Sequence, residues 1–189
     1  MISQIQYDFI KTENKLRFNQ GDIVRDVAIL MHTGYENEQA EIREINLKYG
    51  IVISQECDLE HDHNNREDPN SKSHDKFLPN ILILPAYLAE EFRTGRHLGS
   101  SVPCITWGSD LFKKIKQNND ARFQYIKESN NYQIPELIID FKHIYAVNRN
   151  VLYAKLNSIY LATICELFRE HLSVRYSQYL SRIGLPIIN

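Results

Sequence analysis

The chain has little excess charge, few cysteines and no long apolar run, and each of these absences excludes a class of protein. Its 22 lysines and arginines nearly balance 24 acidic residues, so no overall positive field attracts nucleic acid or an anionic membrane. The three cysteines, Cys57, Cys104 and Cys165, form no CxxC pair, which argues against a secreted disulfide framework. The longest apolar runs, such as 81–85, have the length of a strand and cannot span a bilayer.

The first residues also lack a basic region followed by an apolar core, the pattern of a secretory signal. Together with the unpaired cysteines, this predicts a cytoplasmic protein that makes no membrane contact. With 189 residues, 43% of them hydrophobic, the chain can bury the core of one domain. We therefore expect a single domain over residues 1–189.

Turn residues and apolar runs predict a β-rich body over about residues 16–153. The predicted strands are rich in β-branched residues and bounded by turn residues; they are Ile23–Met31, Tyr49–Gln55 and Asn80–Pro85, with 102–107 and 122–127 as weaker candidates. Residues 38–48 fit a strand or a short helix, and 137–147 fit one strand or two with a kink. The predicted fold class is α+β: a small SH3-like, strongly curved antiparallel β-barrel with helical insertions and a long C-terminal amphipathic helix.

Three segments depart from the β pattern. Residues 60–76 are acidic and histidine-rich with almost nothing apolar, which predicts a mobile polar loop. Residues 86–118 predict a helical insertion. From about 158 to 183, apolar residues recur at three- and four-residue steps, which predicts one amphipathic helix. Its apolar stripe packs on the β body or, alternatively, its tyrosine-rich half forms the seam of a homodimer.

Short apolar segments follow one another in the order Gly21–Val24, Gly50–Ser54, Ile81–Pro85 and Leu137–Asp140, with Val147–Leu152 after them. This order is similar to the strand arrangement of the PemK/MazF-like family of SH3-type barrels, which occur in bacterial toxin and antiphage loci. The resemblance implies an SH3-like barrel, endoribonuclease activity on RNA, and a partner protein from the same system.

Toxins of this family typically carry an Arg-Pro step before the second strand and a Thr or Ser after the third. Residues 46–49 and 86–88 contain neither. A nuclease site in this chain would therefore need Arg25 as the guanidinium, Ser54 as the hydroxyl and Asp58 as the carboxylate, since a phosphodiester transition state needs such groups.

The strand over 50–55 delivers Cys57 to the start of the polar stretch. Because side chains alternate along a strand, we expect Cys57 to continue the inward face as a small buried hydrophobic residue. A second interpretation makes it a nucleophile with His61 or His63 as base. A third makes it a zinc ligand with His61, His63 and His74; otherwise no cofactor is expected.

Other polar side chains are candidates for binding. Asp58 fits either a cap of the loop that follows it or, with Gln55, a hydrogen-bonding pair for a ligand. Arg175 and Tyr179 lie in the most basic and aromatic segment, where arginine suits phosphate and tyrosine suits bases. RNA or DNA is therefore a further candidate ligand.

Three functions fit these observations. The first is a non-catalytic SH3-barrel binding module of a bacterial toxin- or antiphage-type system, which binds a partner protein through the barrel mouth and the polar loop. The second is an endoribonuclease of the PemK/MazF type. The third is a metal- or thiol-dependent enzyme centred on Cys57.

Overall fold

The structure is a computed structural model and describes residues 8–36, 38–99 and 107–182. These residues form one sheet with the strand order β1-β8-β2-β3-β4-β6-β5, and β7 also pairs with β4. The strands are β1 (Phe9–Ile10), β2 (Asp22–Glu36), β3 (Gln39–Val52), β4 (Asn80–Leu88), β5 (Phe123–Ile126), β6 (Leu137–Asp140), β7 (Tyr145–Asn148) and β8 (Tyr160–Ile164). The α-helices are α1 (Glu56–Glu67), α2 (Ala89–Arg93), α3 (Ser109–Lys116), α4 (Arg149–Tyr153), α5 (Leu156–Ile159) and α6 (Glu166–Leu180).

The sheet curls until its two edge strands face one core. Phe9 in β1 and Ile126 in β5 belong to the same buried cluster, although their strands lie at opposite ends of the strand order. The ring centroid of Phe9 lies 5.9 Å from that of Tyr132, which follows β5. The predicted α+β class with a strongly curved antiparallel sheet is therefore confirmed as a half-barrel, and the SH3-like assignment stays a prediction.

Both faces of the central strands are buried. Ile51 and Ile53 face the cluster that contains Phe9, whereas Val52 between them faces a second apolar cluster. This explains why the sequence there is apolar without alternation. Gly50 is required for the close approach of β3 and β4, because a Cβ atom there would lie 2.6 Å from Cγ2 of Ile83.

The strands agree in position with those predicted but differ in length. β2 and β3 form a hairpin of 15 and 14 residues, so residues 38–48 are strand rather than helix. Residues 137–147 form two strands, β6 and β7, and the weaker strand predicted at 122–127 is β5. The strand predicted at 102–107 lies outside the described residues except for Trp107.

The prediction of a single helix over residues 158–183 is wrong. Residues 160–164 form β8, which pairs with β1 and β2, and the helix that follows, α6, begins only at Glu166. The segment Tyr-Leu-Ala-Thr-Ile satisfies both helical spacing and β preference, and pairing with two strands decides between them. The tyrosine-rich half of α6 packs on the protein's own core, which is the first of the two arrangements predicted.

The prediction of a mobile loop over residues 60–76 is also wrong for the first half of that segment, because α1 occupies Glu56–Glu67. Asp62 anchors this helix and is only 1% exposed. Its carboxylate accepts hydrogen bonds from Nε of Arg66 (2.7 Å), Nε of Arg149 (2.8 Å) and the backbone N–H of Leu78 (2.8 Å). Burial alone raises the pKa of Asp62, but these bonds outweigh it and hold the pKa below its ordinary value.

Asp62→Ala is expected to lower the free energy of unfolding by about 3 kcal/mol, because it leaves Arg149 and the Leu78 amide without their buried acceptor. Urea denaturation followed by circular dichroism measures this change. Because the folded-state pKa is lowered, the loss is expected in full above about pH 4 and shrinks at lower pH. Glu60→Ala, an exposed position on α1, serves as the control and should change the free energy by less than about 0.5 kcal/mol. Equal losses in the two variants would contradict the anchoring role.

Candidate binding cleft

A cleft of about 520 Å³ opens between the end of β3, the start of α1 and the C-terminal half of α6. Its apolar lining residues are Ile53, Leu78, Leu82, Tyr176 and Leu180. Its polar lining residues are Gln20, Ser54, Gln55, Asp58, Asn80, Ser173 and Ser177. Asp58 is the one carboxylate among them, so the lining is apolar and hydrogen-bonding rather than charged.

The end of β3 is fixed against the start of β4. The backbone N–H of Ile53 donates to the carbonyl of Leu82 at 2.9 Å, and the Leu82 N–H donates to Oγ of Ser54 at 2.8 Å. The Ser54 hydroxyl oxygen thus accepts a hydrogen bond from β4 just beyond the point where the backbone pairing of β3 with β4 ends. Gln55 keeps an extended backbone, with φ −62° and ψ 142°, and α1 begins at the next residue. The predicted site residues Ser54, Gln55 and Asp58 therefore meet in the cleft.

Glu56 joins α1 to two other parts of the chain. Its carboxylate accepts hydrogen bonds from Nδ2 of Asn19 and the backbone N–H of Gln20, both at 2.7 Å. It also forms ion pairs with Arg17 at 2.8 Å and with Arg169 of α6 at 3.5 Å. Burial alone raises the pKa of Glu56, but the bonds from Asn19, Gln20 and Arg17 outweigh it and lower the pKa.

Asp22 forms a second carboxylate centre and is fully buried. It accepts hydrogen bonds from Nζ of Lys15 (2.9 Å), Oγ1 of Thr163 (2.6 Å) and the backbone N–H of Asn19 (2.8 Å). Burial raises the pKa of Asp22 to about 6, although all three bonds act to lower it. Asn19 contacts both Asp22 and Glu56, and we call Lys15, Asn19, Asp22, Glu56 and Arg169 the carboxylate network.

Arg25 does not join the predicted nuclease residues. Its strand partner is Tyr49, which precedes Ser54 by five residues, or about 17 Å along a strand that rises ~3.3 Å per residue. The Arg25 guanidinium instead lies 4.0 Å from the carboxylate of Asp26. The relocated site of Arg25, Ser54 and Asp58 is therefore not assembled in the structure.

Cys57 is exposed, so the prediction that it is buried is wrong. The alternation of the strand ends before it, because α1 begins one residue earlier. The sulfur lies 3.6 Å from Oε1 of Gln55 and 3.8 Å from Oδ1 of Asp58. Across residues 8–36, 38–99 and 107–182, no three His, Cys, Asp or Glu side chains are grouped so that they could hold a metal ion, and Cys57, His61 and His63 are not brought together as such a group.

Neither of the binding residues predicted on the C-terminal helix lines the cleft. The guanidinium of Arg175 donates to three backbone carbonyl oxygens between Asn118 and Phe123, at 2.6 to 3.0 Å, and so supports the turn before β5. Tyr179 packs on Phe141 with ring centroids 6.1 Å apart. The residues that sequence reasoning missed are Gln20, Asn80 and one face of α6. The spacing of Ser173, Tyr176, Ser177 and Leu180 by three or four was the signal for that face.

Comparison of the chain with models of known protein families, with curated proteins and with solved structures gave no match. The resemblance to PemK/MazF-like barrels therefore stays a prediction from short segments. None of the helices in the described part of the chain is both long enough and apolar enough to cross a membrane.

Asp22→Asn tests the buried carboxylate centre through its pH dependence. Because the folded-state pKa of about 6 lies above the ordinary value of 3.8, this carboxyl contributes stability that is present at low pH and is lost as the pH rises through about 6. The stability advantage of wild type over Asp22→Asn is therefore expected to be larger at pH 4 than at pH 7.5, by about 2 kcal/mol. Urea denaturation at the two pH values measures it, and an advantage that grows with pH would contradict the assignment.

Proposed function

We propose that this chain is a non-catalytic binding module that holds a segment of a partner protein in the cleft, as one component of a bacterial toxin- or antiphage-type system. The observation that supports binding over catalysis is the composition of the lining, in which the described residues include no histidine, cysteine, lysine or arginine. Histidine is the commonest general acid or base, cysteine and lysine are common nucleophiles, and arginine and lysine bind phosphate. The type of system is suggested by the resemblance of the strand order alone.

The side chains of the cleft suit an extended peptide. Gln20, Gln55 and Asn80 carry amides, which both donate and accept hydrogen bonds and so can pair with a peptide backbone. Leu82 and Tyr176 supply apolar contact area for a side chain of the partner. The volume of about 520 Å³ is within the range of pockets that bind small ligands or short peptide segments.

Asp58 determines which charge the cleft prefers in a ligand. It is exposed at the start of α1 and is the single charged group among the described lining residues. A carboxylate at the edge of an apolar groove favours a lysine or arginine in the bound segment. The expected ligand is therefore a segment with one apolar side chain in the cleft and one cationic side chain beside Asp58.

Two matched charge reversals on α1 test this proposal. Asp58→Lys is expected to weaken binding of any neighbouring-gene product that co-purifies with the chain at least about tenfold, since it places like charges opposite each other. Glu60→Lys makes the same change two residues away, outside the lining, and should alter the affinity less than about twofold. Isothermal titration calorimetry with the purified pair measures both, and circular dichroism verifies folding.

Two results would contradict the proposal. One is an equal effect of Asp58→Lys and Glu60→Lys on the affinity, which would place the partner elsewhere. The other is cleavage of RNA by the purified protein that is lost in Arg25→Ala, which would favour the endoribonuclease hypothesis.

A further inference from the structure

The β2–β3 hairpin continues beyond the sheet as a two-stranded arm, formed by residues 30–36 and 39–46. β2 pairs with β8 only through Asp22–Val24, and β3 pairs with β4 only through Gly50–Val52. Among the residues with described positions, no third strand pairs with the arm. The outer edge of β3 over 39–46 therefore presents unpaired backbone N–H and C=O groups, which are a template for strand addition.

One face of the arm exposes three large apolar side chains, with Glu44 as its one carboxylate. Leu30, Tyr35 and Ile42 are 71%, 73% and 66% exposed. The register pairs His32 with Ile42 and Tyr35 with Ala40, and the rings of His32 and Tyr35 are 4.6 Å apart, so these side chains share one face. A two-stranded ribbon is only marginally stable in water, and exposed apolar patches commonly mark interaction surfaces.

The net charge of the arm restricts which kind of molecule can bind to this face. Residues 30–46 contain four glutamates, at 36, 38, 41 and 44, against the single arginine Arg43. Nucleic acid would be repelled by this excess of negative charge. Face-to-face packing of two arms would bring eight glutamates together with two arginines. The arrangement instead favours a cationic protein segment.

We propose that the outer edge of β3 over residues 39–46 pairs with an extended segment of a partner protein in which apolar and basic residues alternate. Alternate side chains of a strand lie on opposite faces. The apolar side chains of the added strand lie on the face of Ile42 and enlarge the patch of Leu30 and Tyr35. Its basic side chains lie on the opposite face, which carries Glu36 and Glu41 against the single cation Arg43.

This surface is separate from the cleft. Ile42 lies ten residues before Val52 in the same strand, about 33 Å at ~3.3 Å per residue, and none of the described residues that line the cleft belongs to the arm. The two surfaces can therefore be occupied independently, and the arm proposal does not rest on the proposed function of the cleft.

The probe is a fluorescein-labelled peptide of eight alternating valine and lysine residues, titrated with the intact protein and followed by fluorescence anisotropy. Saturable binding is expected, and Glu41→Lys should weaken it at least about tenfold. The same variant should gain binding of a peptide in which glutamate replaces lysine. Glu170→Lys, an exposed position on α6, is the matched control and should behave as wild type.

A second peptide distinguishes strand pairing from simple adhesion. Methylation of alternate backbone nitrogens along the edge that faces β3 removes hydrogen-bond donors without changing the side chains. The methylated peptide is expected to bind at least about tenfold more weakly. Equal affinity of the two peptides would overturn the proposal, as would the absence of saturable binding by wild type.

A second copy of this chain is the remaining candidate for covering the arm. Analytical ultracentrifugation tests whether the protein self-associates in this way. We expect no concentration-dependent dimer that involves the arm. A dimer that is abolished by Glu41→Lys and unaffected by Glu170→Lys would overturn the proposal in favour of self-association.

Discussion

The structure depends on a fully buried carboxylate, Asp22, and a half-buried one, Glu56, which are satisfied by groups from distant parts of the chain. Asp22 takes its partners from the segment before β2 and from β8, through Lys15 and Thr163. Glu56 takes its partners from the same segment and from α6, through Asn19 and Arg169. A buried carboxylate without partners is costly, so these elements are held together at one end of the sheet.

The carboxylate network also determines the chemistry of the neighbouring cleft. The cations Lys15 and Arg169 are engaged by carboxylates within the protein. The ion pair of Arg169 with Glu56 holds α6 against α1, and Lys15 joins the segment before β2 to Asp22 and to Thr163 of β8. Gly21 permits this packing, because a Cβ atom at that position would lie 3.3 Å from Cγ of Arg169. What remains in the cleft is an apolar and amide lining with one carboxylate, which suits recognition of a peptide better than bond cleavage.

The sequence was informative where a residue's role depends on its near neighbours. β-branched runs located the central strands, and the end of the run at Ser54 located one wall of the cleft. The other wall, on α6, lies within the predicted helix, but its position beside Ser54 could not be predicted, because it depends on residues 160–164 forming a strand that pairs with β1 and β2. α1 was missed for a related reason: its residues are polar, and its stability comes from contacts of Asp62 with Leu78 and Arg149, which are distant in sequence.

The carboxylate network holds α6 and α1 in place as the walls of the cleft. Hydrogen–deuterium exchange of Glu56→Ala is the decisive measurement. We expect faster exchange of backbone amides in α6 and at the start of α1, with exchange in the β2–β3 arm unchanged. If the amides of α6 exchanged as slowly as in wild type, the helix would be held by its apolar face alone and the carboxylate network would not position it.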